Sequence, residues 1–356
     1  MNKEDECTKK SVLLGMSGGT DSSVAAIMLQ EQGYQVIGIT FRFYESDGDM
    51  YYLKEAKMLA EHLGIKHITY DVREPFRKQI IAYFIDSYMQ GETPVPCTRC
   101  NNQFKWPLML EIANKEGIDY IATGHYIRTK YVNGHCYVVP GVDPDKDQSF
   151  FMWGLSQEIL RRMLLPLGHF KKSEVRKWAN QRGYENQTKK KESIGVCFCS
   201  RDYRSFLRQQ VSADRFVSGS FLDENGQVLG THNGYPFFTI GQRRGLGINL
   251  NRPIFVKEIN TQTNNIILGP LSSLVYTSFP LREWKVIDLN ELLSLDEVEI
   301  RIRYRKQYNT GKVVLEKSGR LVVSLNQNLT AVSAGQAAVF YYQERVLGGG
   351  IIDLRN

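Results

Sequence analysis

Between the apolar segment Ser11-Val12-Leu13-Leu14 and an apolar helical stretch that starts near Ser23 and runs to Gln30 lies Gly15-Met16-Ser17-Gly18-Gly19-Thr20-Asp21-Ser22. Strand, glycine-rich turn and helix in that order make an anion cradle. Glycines let the backbone come close to a phosphate, and two serines and the first N–H groups of a helix aim donors at it. Asp21 implies more, because a carboxylate beside phosphates is repelled unless a divalent cation lies between them, which points to Mg2+. No lysine follows the glycines, so the GxxxxGK[ST] loop is excluded.

The second group of reactive residues is sulfur. Cys97-Thr98-Arg99-Cys100 follows the turn Thr93-Pro94-Val95-Pro96 and precedes an apolar stretch from Gln103. A helix N-terminus and a nearby arginine lower a thiol pKa, and that matters because an ordinary cysteine is only about 3% thiolate at pH 7. Cys197 stands in Gly195-Val196-Cys197-Phe198-Cys199, just after Lys189-Lys190-Lys191, where a glycine and basic residues suit a mobile loop carrying a second thiolate. Cys7, Cys136 and Cys199 are read as ordinary reduced thiols.

The elements that must position these groups alternate. Strands over Val12 to Leu14, Gln35 to Phe41, Lys66 to Tyr70 and Tyr120 to Thr123 are interleaved with helical stretches at 22–32, 51–63, 75–90 and 103–116. This rhythm predicts an α/β, doubly wound parallel sheet whose ligands gather at the carboxyl ends of the strands, where Gly15, Phe41 and Gly124 lie. A helical, basic region is expected from Ser156 to Arg208, with Lys171-Lys172 and Arg176-Lys177. From about 215 short strands appear with turn signals at Asp223-Glu224-Asn225-Gly226 and Asn233-Gly234. Alternation over Val298–Arg305, Gly311–Leu325 and Ala337–Leu347 reads as a small antiparallel β-barrel or sandwich. The division expected is 1–208 for the α/β domain that carries the anion cradle, 209–278 for a small β-rich central domain and 279–356 for a C-terminal β-barrel.

A chain of 356 residues is too long for one ordinary core. Hydrophobic content of 42% and charged content of 23%, with no membrane-length apolar run and a polar start MNKEDECTKK, fit a cytoplasmic, non-membrane protein. The 45 basic and 38 acidic residues leave a formal charge of +7, which permits a polyanionic partner without requiring one. Six cysteines in so long a chain are not a secreted disulfide framework, and their clustering favours redox, sulfur or metal chemistry.

The word Ser17-Gly18-Gly19-Thr20-Asp21-Ser22 after a first strand resembles the signature of the PP-loop ATP pyrophosphatases, which cleave ATP between its α and β phosphates. The resemblance narrows to the tRNA-specific 2-thiouridylases (MnmA) through words spread along the chain: GMSGGTDSSVAA at 15–26, CNNQFKW at 100–106, Ala122-Thr123-Gly124-His125-Tyr126, Lys146-Asp147-Gln148-Ser149-Phe150-Phe151, Pro166-Leu167-Gly168, Ser193-Ile194-Gly195-Val196-Cys197-Phe198, and TIGQRRGLG at 239–247. Their joint order carries the identification.

The resemblance implies a sulfurtransferase that replaces the C2 oxygen of the wobble uridine of Lys-, Glu- and Gln-type tRNAs. ATP adenylates that oxygen and pyrophosphate leaves. Cys197 carries a persulfide received from a sulfur-relay protein or cysteine desulfurase, and Cys100 matches the nucleophile. Attack by Cys100 leaves a Cys100–Cys197 disulfide, while direct persulfide attack on C2 is also compatible. The ATP site comprises Gly15, Met16, Ser17, Gly18, Gly19, Thr20, Asp21, Ser22, Phe41 and Gly124. Phe41 stands where the family often has Met and either covers the adenine or serves the core, and His125 is structural or RNA-facing. Val95, Pro96 and Cys97 match the segment facing the target base, Lys146, Asp147 and Gln148 a tRNA-contacting loop, and Arg303, Tyr304 and Arg305 a basic and aromatic strand suited to RNA; Gln242-Arg243-Arg244 has similar standing.

One position departs. The family usually has Asn-Pro-Asp where this chain has Val95-Pro96-Cys97, so Cys97 replaces an aspartate credited with proton transfer or holding the base. Cys97, Cys100 and Cys197 could then hold an iron–sulfur cluster, as in other PP-loop tRNA thiolases, or zinc together with Cys199. A PP-loop amidating ligase is the other enzyme class compatible with the cradle alone.

Overall fold

The computed structural model describes residues 9–45, 50–184, 195–199, 202–248, 252–304 and 309–354. Cys7, Lys189, Lys190, Lys191, Ser193, Ile194 and Arg305 lie outside the described residues. The chain forms two compact units, one of residues 1–77 and 100–198, the other of 78–99 and 199–356.

The first unit is built on a parallel sheet of β1 (Ser11–Gly15), β2 (Gln35–Arg42), β3 (Lys66–Asp71), β4 (Tyr120–Ala122) and β7 (Met163–Leu164), in the order β3-β2-β1-β4-β7. Gly15 pairs with Ile39 on one side, and Leu14 with Ala122 on the other. Chain order reverses direction between β1 and β4, so a crevice opens at their carboxyl ends, the place where such sheets bind ligands. Alternation along β1 sends Val12 and Leu14 into one core, with Val24 and Met28 of α1 (Thr20–Glu31), Leu59 of α2 (Tyr51–Leu63) and Val175 of α4 (Lys172–Asn180). Leu13 is buried on the opposite face, and α3 (Trp106–Lys115) packs on β1 and β4. Nine of the twelve residues of α1 are buried, which is why its sequence shows no polar face.

The structure departs from the sequence expectation at two places in this unit. The antiparallel hairpin of β5 (Ile127–Val132) and β6 (His135–Pro140) has no counterpart in the sequence reading. Its signal was present in the Asn133-Gly134 turn, where φ is 49° and 80°. The expected helical run from 156 is broken: Gln157–Arg162 is helical, but β7 follows at once and adds an edge strand to the sheet. Pro166 then bars a helix from restarting there.

In the second unit a four-stranded sheet has the order β10 (Phe255–Asn260), β11 (Asn265–Gly269), β8 (Gly219–Leu222), β9 (Val228–His232), around Phe221, Val256, Ile266 and Leu268. The C-terminal strands close an antiparallel barrel, which decides between barrel and sandwich. Its order is β12 (Val275–Val286), β15 (Leu321–Thr330), β14 (Asn309–Leu315), β13 (Val298–Arg301), β16 (Ala337–Tyr342), β17 (Arg345–Ile352). Gly311–Leu325, read as one run, is two strands around a turn, and Ala337–Leu347 is a hairpin turning at Gln343 and Glu344, both with positive φ. Segment 78–99 belongs with this unit. Arg282 bonds both oxygens of the buried Glu92 carboxylate at 3.0 and 2.6 Å, and Thr93 N–H donates to the Ala334 carbonyl at 2.8 Å.

Candidate active site

A cavity of about 660 Å3 opens in the first unit at the carboxyl ends of β1, β2 and β4. The cradle supplies Gly15, Met16, Ser17, Asp21 and Ser22 to its wall; Phe41 and Tyr52 add aromatic surface, and Gly124, His125 and Gln148 close another side. Cys197 lines the same cavity. That volume is in the range of a small-molecule site.

The loop is shaped by its own residues. Gly18 has φ of 70°, and a Cβ there would lie 2.6 Å from the Tyr52 carbonyl oxygen, so conformation and the approach of α2 both require glycine. Gly19 is the N-cap of α1, with no side chain capping the helix. Ser17 N–H donates to Ser22 Oγ at 3.2 Å, and Ser22 Oγ donates to the Gly19 carbonyl at 3.2 Å. The serine hydroxyls therefore brace the loop as well as facing the cavity. At Gly124 a Cβ would meet Asp21 C at 2.7 Å and Ser22 N at 2.8 Å, so a bare backbone lets the end of β4 lie against the first turn of α1.

Asp21 carries the bonds that sequence reasoning missed. The Tyr126 hydroxyl donates to Asp21 Oδ1 at 2.7 Å, and the Lys172 ammonium bonds the same oxygen. The cation placed on this carboxylate comes from 151 residues downstream. Lys172 appears in the sequence only as part of a basic pair, and Tyr126 only as a letter in a motif word; no local signal joins either to Asp21.

His125 sits between two polar partners. Its Nδ1 is 2.5 Å from Thr123 Oγ1, and its Nε2 is 3.2 Å from Lys105 Nζ. Burial, helped by the Lys105 charge, holds its pKa well below the usual histidine value, so the ring is neutral at pH 7 and Nε2 accepts from the ammonium. Lys105 also lines the cavity, at the end of the π-helical turn Cys100–Lys105. Sequence reasoning placed Cys100 near a helix start. The helical path instead begins at Pro96, where Thr98 N–H and hydroxyl both return to the Val95 carbonyl, so Cys100 lies inside it. Nor does Arg99 simply serve the thiols: it pairs with Glu283 at 3.3 Å and stacks on Tyr83 at 4.5 Å.

Phe41 is buried against Phe43 and Tyr70, with centroids at 5.4 and 6.3 Å, as the core reading expects, and it also lines the cavity. Tyr52 bonds Glu45 at 3.3 Å; burial, then the Glu45 charge, pushes its pKa up to about 12, keeping it a neutral donor. Phe198 anchors Cys197, packing on Phe76 and Tyr44 with centroids at 5.9 and 6.3 Å. In the loop at 146–148, Asp147 caps Ser149 through bonds of 3.0 and 2.9 Å, and Gln148 Oε1 accepts Tyr126 N–H at 3.1 Å. Gln148 is thus a wall of the nucleotide-sized cavity.

Cys136 is an inert core thiol, its Sγ 3.5 Å from the Leu160 carbonyl oxygen and its pKa raised by burial. The five described cysteines form no disulfide. Among the described residues no group of three or more His, Cys, Asp or Glu side chains is placed to hold a metal ion, so the thiolate cluster considered from sequence is not assembled there. In the second unit Arg303 and Tyr304 are exposed just past β13, Arg303 donating to the Ala331 carbonyl at 3.3 Å. Arg243 and Arg244 are exposed on a loop held by the Gln242 to Arg244 carbonyl bond of 2.9 Å.

Three family models match consecutive stretches: a tRNA methyl transferase HUP domain over residues 10–201, a tRNA methyl transferase PRC-barrel domain over 204–270, and an aminomethyltransferase beta-barrel domain over 281–352. The chain is 56% identical to tRNA-specific 2-thiouridylase MnmA 1 of Bacteroides fragilis, covering 97% of this chain and 98% of that one. The chain belongs to the MnmA family. A second MnmA, from Phocaeicola vulgatus, is 54% identical, covering 98% of this chain and 99% of that one. Among solved structures the U34-tRNA thiolase NcsA of Methanococcus maripaludis is similar at 17% identity and a TM-score of 0.37, covering 60% of this chain and 69% of that chain. Among the described residues no helix is long and apolar enough to cross a membrane.

Proposed function

We propose that this chain is a tRNA-specific 2-thiouridylase, a sulfurtransferase that uses ATP to replace O2 of the wobble uridine with sulfur. The observation that carries the reading is the thiol of Cys197 in the wall of the cavity formed by the Gly15–Ser22 cradle. Uridine O2 attacks the α-phosphorus of ATP, the bond to the β-phosphate oxygen breaks, and pyrophosphate leaves. Oxygen at C2 is thereby converted into part of an AMP leaving group. Cys197 bears the persulfide, loaded by a sulfane-sulfur donor of the relay-protein or cysteine-desulfurase class. The Cys100 thiolate attacks Sγ of that persulfide, giving two electrons to the terminal sulfur. The products are a Cys100–Cys197 disulfide and a sulfide that adds to C2 as AMP departs; a thiol reductant resets the pair.

Mg2+ fits the cradle. Both bonds to Asp21 fall on Oδ1, which leaves Oδ2 facing the ion's requirement for an oxygen ligand. The ion would supply charge neutralisation of the phosphates. His125, neutral, orients Lys105 beside the nucleotide. The adenine is assigned to Phe41 and the phosphates to Gly15 through Ser22 with Gly124. For tRNA, Val95, Pro96 and Cys97 take the target base, and Lys146, Asp147, Arg303 and Tyr304 the surrounding backbone. A cytoplasmic location follows from that substrate.

The test is reaction of the purified chain with ATP, Lys-type tRNA transcript and a persulfide donor, followed by nucleoside mass spectrometry. Cys100→Ser and Cys197→Ser are each expected to give no 2-thiouridine. Wild-type yield from either variant would sink the persulfide scheme, and metal or visible absorption that tracks activity after anaerobic purification would replace it with a cluster mechanism.

A further inference from the structure

The carboxyl end of β2 carries an ion network that the phosphate cradle does not use. Arg42, the last residue of β2, donates from Nε to Glu45 Oε1 at 2.7 Å and from Nη2 to Oε2 at 2.8 Å, and Arg73 Nη1 donates to Oε2 at 3.1 Å. Both guanidinium groups are held in turn by Asp71, the last residue of β3, which stands in register with Arg42. The Glu45 side chain is 8% exposed, and the Arg42 guanidinium holds its carboxyl below the usual carboxylate range, so the group is ionised and can only accept. Tyr52, on α2, adds its hydroxyl to this carboxylate, 3.3 Å from Oε1. The same residue lines the cavity beside Phe41. A phenol has one proton, and Glu45 takes it. What the Tyr52 oxygen offers the cavity is therefore a lone pair.

We propose that Tyr52 reads the base of the nucleotide, its phenol oxygen accepting from the exocyclic amine of adenine, and that Glu45 is the positioning residue that fixes this polarity. The inference rests on the ATP reading of the cavity and deepens it, because it takes the seat of adenine to be at Phe41, at the end of the strand that also holds Arg42. Adenine carries an amino donor at N6 where guanine and hypoxanthine carry a carbonyl acceptor at O6. Facing an acceptor-only phenol, the amine gains a bond. A carbonyl oxygen meets another lone pair and gives up its water without replacement. Two guanidinium groups keep Glu45 ionised, so the phenol proton cannot turn toward the cavity without breaking its bond to the carboxylate.

The experiment is calorimetric titration of the full chain, with Mg2+ and without tRNA, on wild type, Tyr52→Phe and Glu45→Gln. The ligands are ATP, purine riboside triphosphate, which lacks the amine, and ITP, which carries a carbonyl in its place. Tyr52→Phe should weaken ATP about fivefold, the effect of one neutral hydrogen bond, and leave purine riboside triphosphate within about twofold. The preference for ATP over ITP should shrink in Tyr52→Phe and also in Glu45→Gln, whose amide can donate to the phenol and release its proton to the cavity. Thermal midpoints report whether each variant is folded. Equal loss of ATP and purine riboside triphosphate would show that Tyr52 is only apolar surface and would overturn the proposal, as would unchanged ATP affinity in Tyr52→Phe. A preference kept in folded Glu45→Gln but lost in Tyr52→Phe would overturn the role of Glu45. A wild-type chain that binds no purine triphosphate overturns the proposal together with the ATP reading, whereas one that binds ATP and purine riboside triphosphate equally overturns the base reading alone.

Discussion

Replacing Gly124 by alanine should destabilise the first unit and its nucleotide site, whereas replacing Gly15 should not. The added Cβ at Gly124 would lie 2.7, 2.8 and 2.9 Å from Asp21 C, Ser22 N and Asp21 O. All three are backbone atoms, so no side-chain rotation relieves the contact, and regaining 3.4 Å requires a retreat of about 0.5–0.7 Å. The same peptide carries Asp21, whose 2.7 Å bond from Tyr126 would stretch beyond hydrogen-bonding range if it took up the whole movement. Overpacking of this kind costs about 1–3 kcal/mol. At Gly15 the nearest atoms to a new Cβ are the methyl of Thr123 at 3.4 Å and the end of Met109 at 3.7 Å. Neither glycine has positive φ, so Gly15→Ala gains roughly 0.4–1 kcal/mol from a stiffer unfolded chain with little native strain. Chemical denaturation without ligand should rank Gly15→Ala at or above wild type and Gly124→Ala about 1–3 kcal/mol below it. ATP affinity should fall in Gly124→Ala. Equal stability of the two variants would refute the contact argument, because the substitution is the same and only the packing differs.

Two further perturbations test other parts of the molecule. Arg282→Met leaves the Glu92 carboxylate, 3% exposed, without its bidentate cation and should cost about 3–5 kcal/mol in the second unit. The double variant with Glu92→Gln should recover most of that by urea denaturation, and a double variant no better than the single would contradict the pairing. His125 is neutral in the fold, whereas the unfolded chain takes up a proton below about pH 6.5. The unfolded state then binds more protons, so stability is complete above about pH 6.5 and declines as pH falls toward the lowered native value, by at most about 1.4 kcal/mol per unit. His125→Gln should flatten the slope between pH 7 and 5 only in part, since burial lowers His67 and His232 in the same direction; an unchanged slope would place His125 outside this linkage.

Much of the site was legible because it is local in sequence. The cradle from Gly15 to Ser22 needs only a strand, a glycine-rich turn and a helix in succession, and the alternation of elements was enough to expect a parallel sheet around it. The positions of Cys100 and Cys197 were legible as motif words, though not the π-helical setting of Cys100. The hairpin turning at Asn133-Gly134 carried a signal that went unread, whereas β7 did not, since two residues show no periodicity.

What the sequence by itself determined was therefore the chemistry available: an anion seat, two separated thiols and an aspartate that needs a cation beside phosphate. Tertiary structure adds to that aspartate a partner the sequence does not announce, the Lys172 ammonium. Lys172 and Asp21 are 151 residues apart, and no propensity or spacing rule connects a lysine on one helix to a carboxylate on another. Only the reversal of strand order between β1 and β4, with α4 packed in the same core as α1, brings them together. Segment 78–99 shows the same dependence, since its ion pair with Arg282 is a long-range contact that composition cannot signal. Residue types set what a site can do, and packing over long sequence separations selects which residues do it.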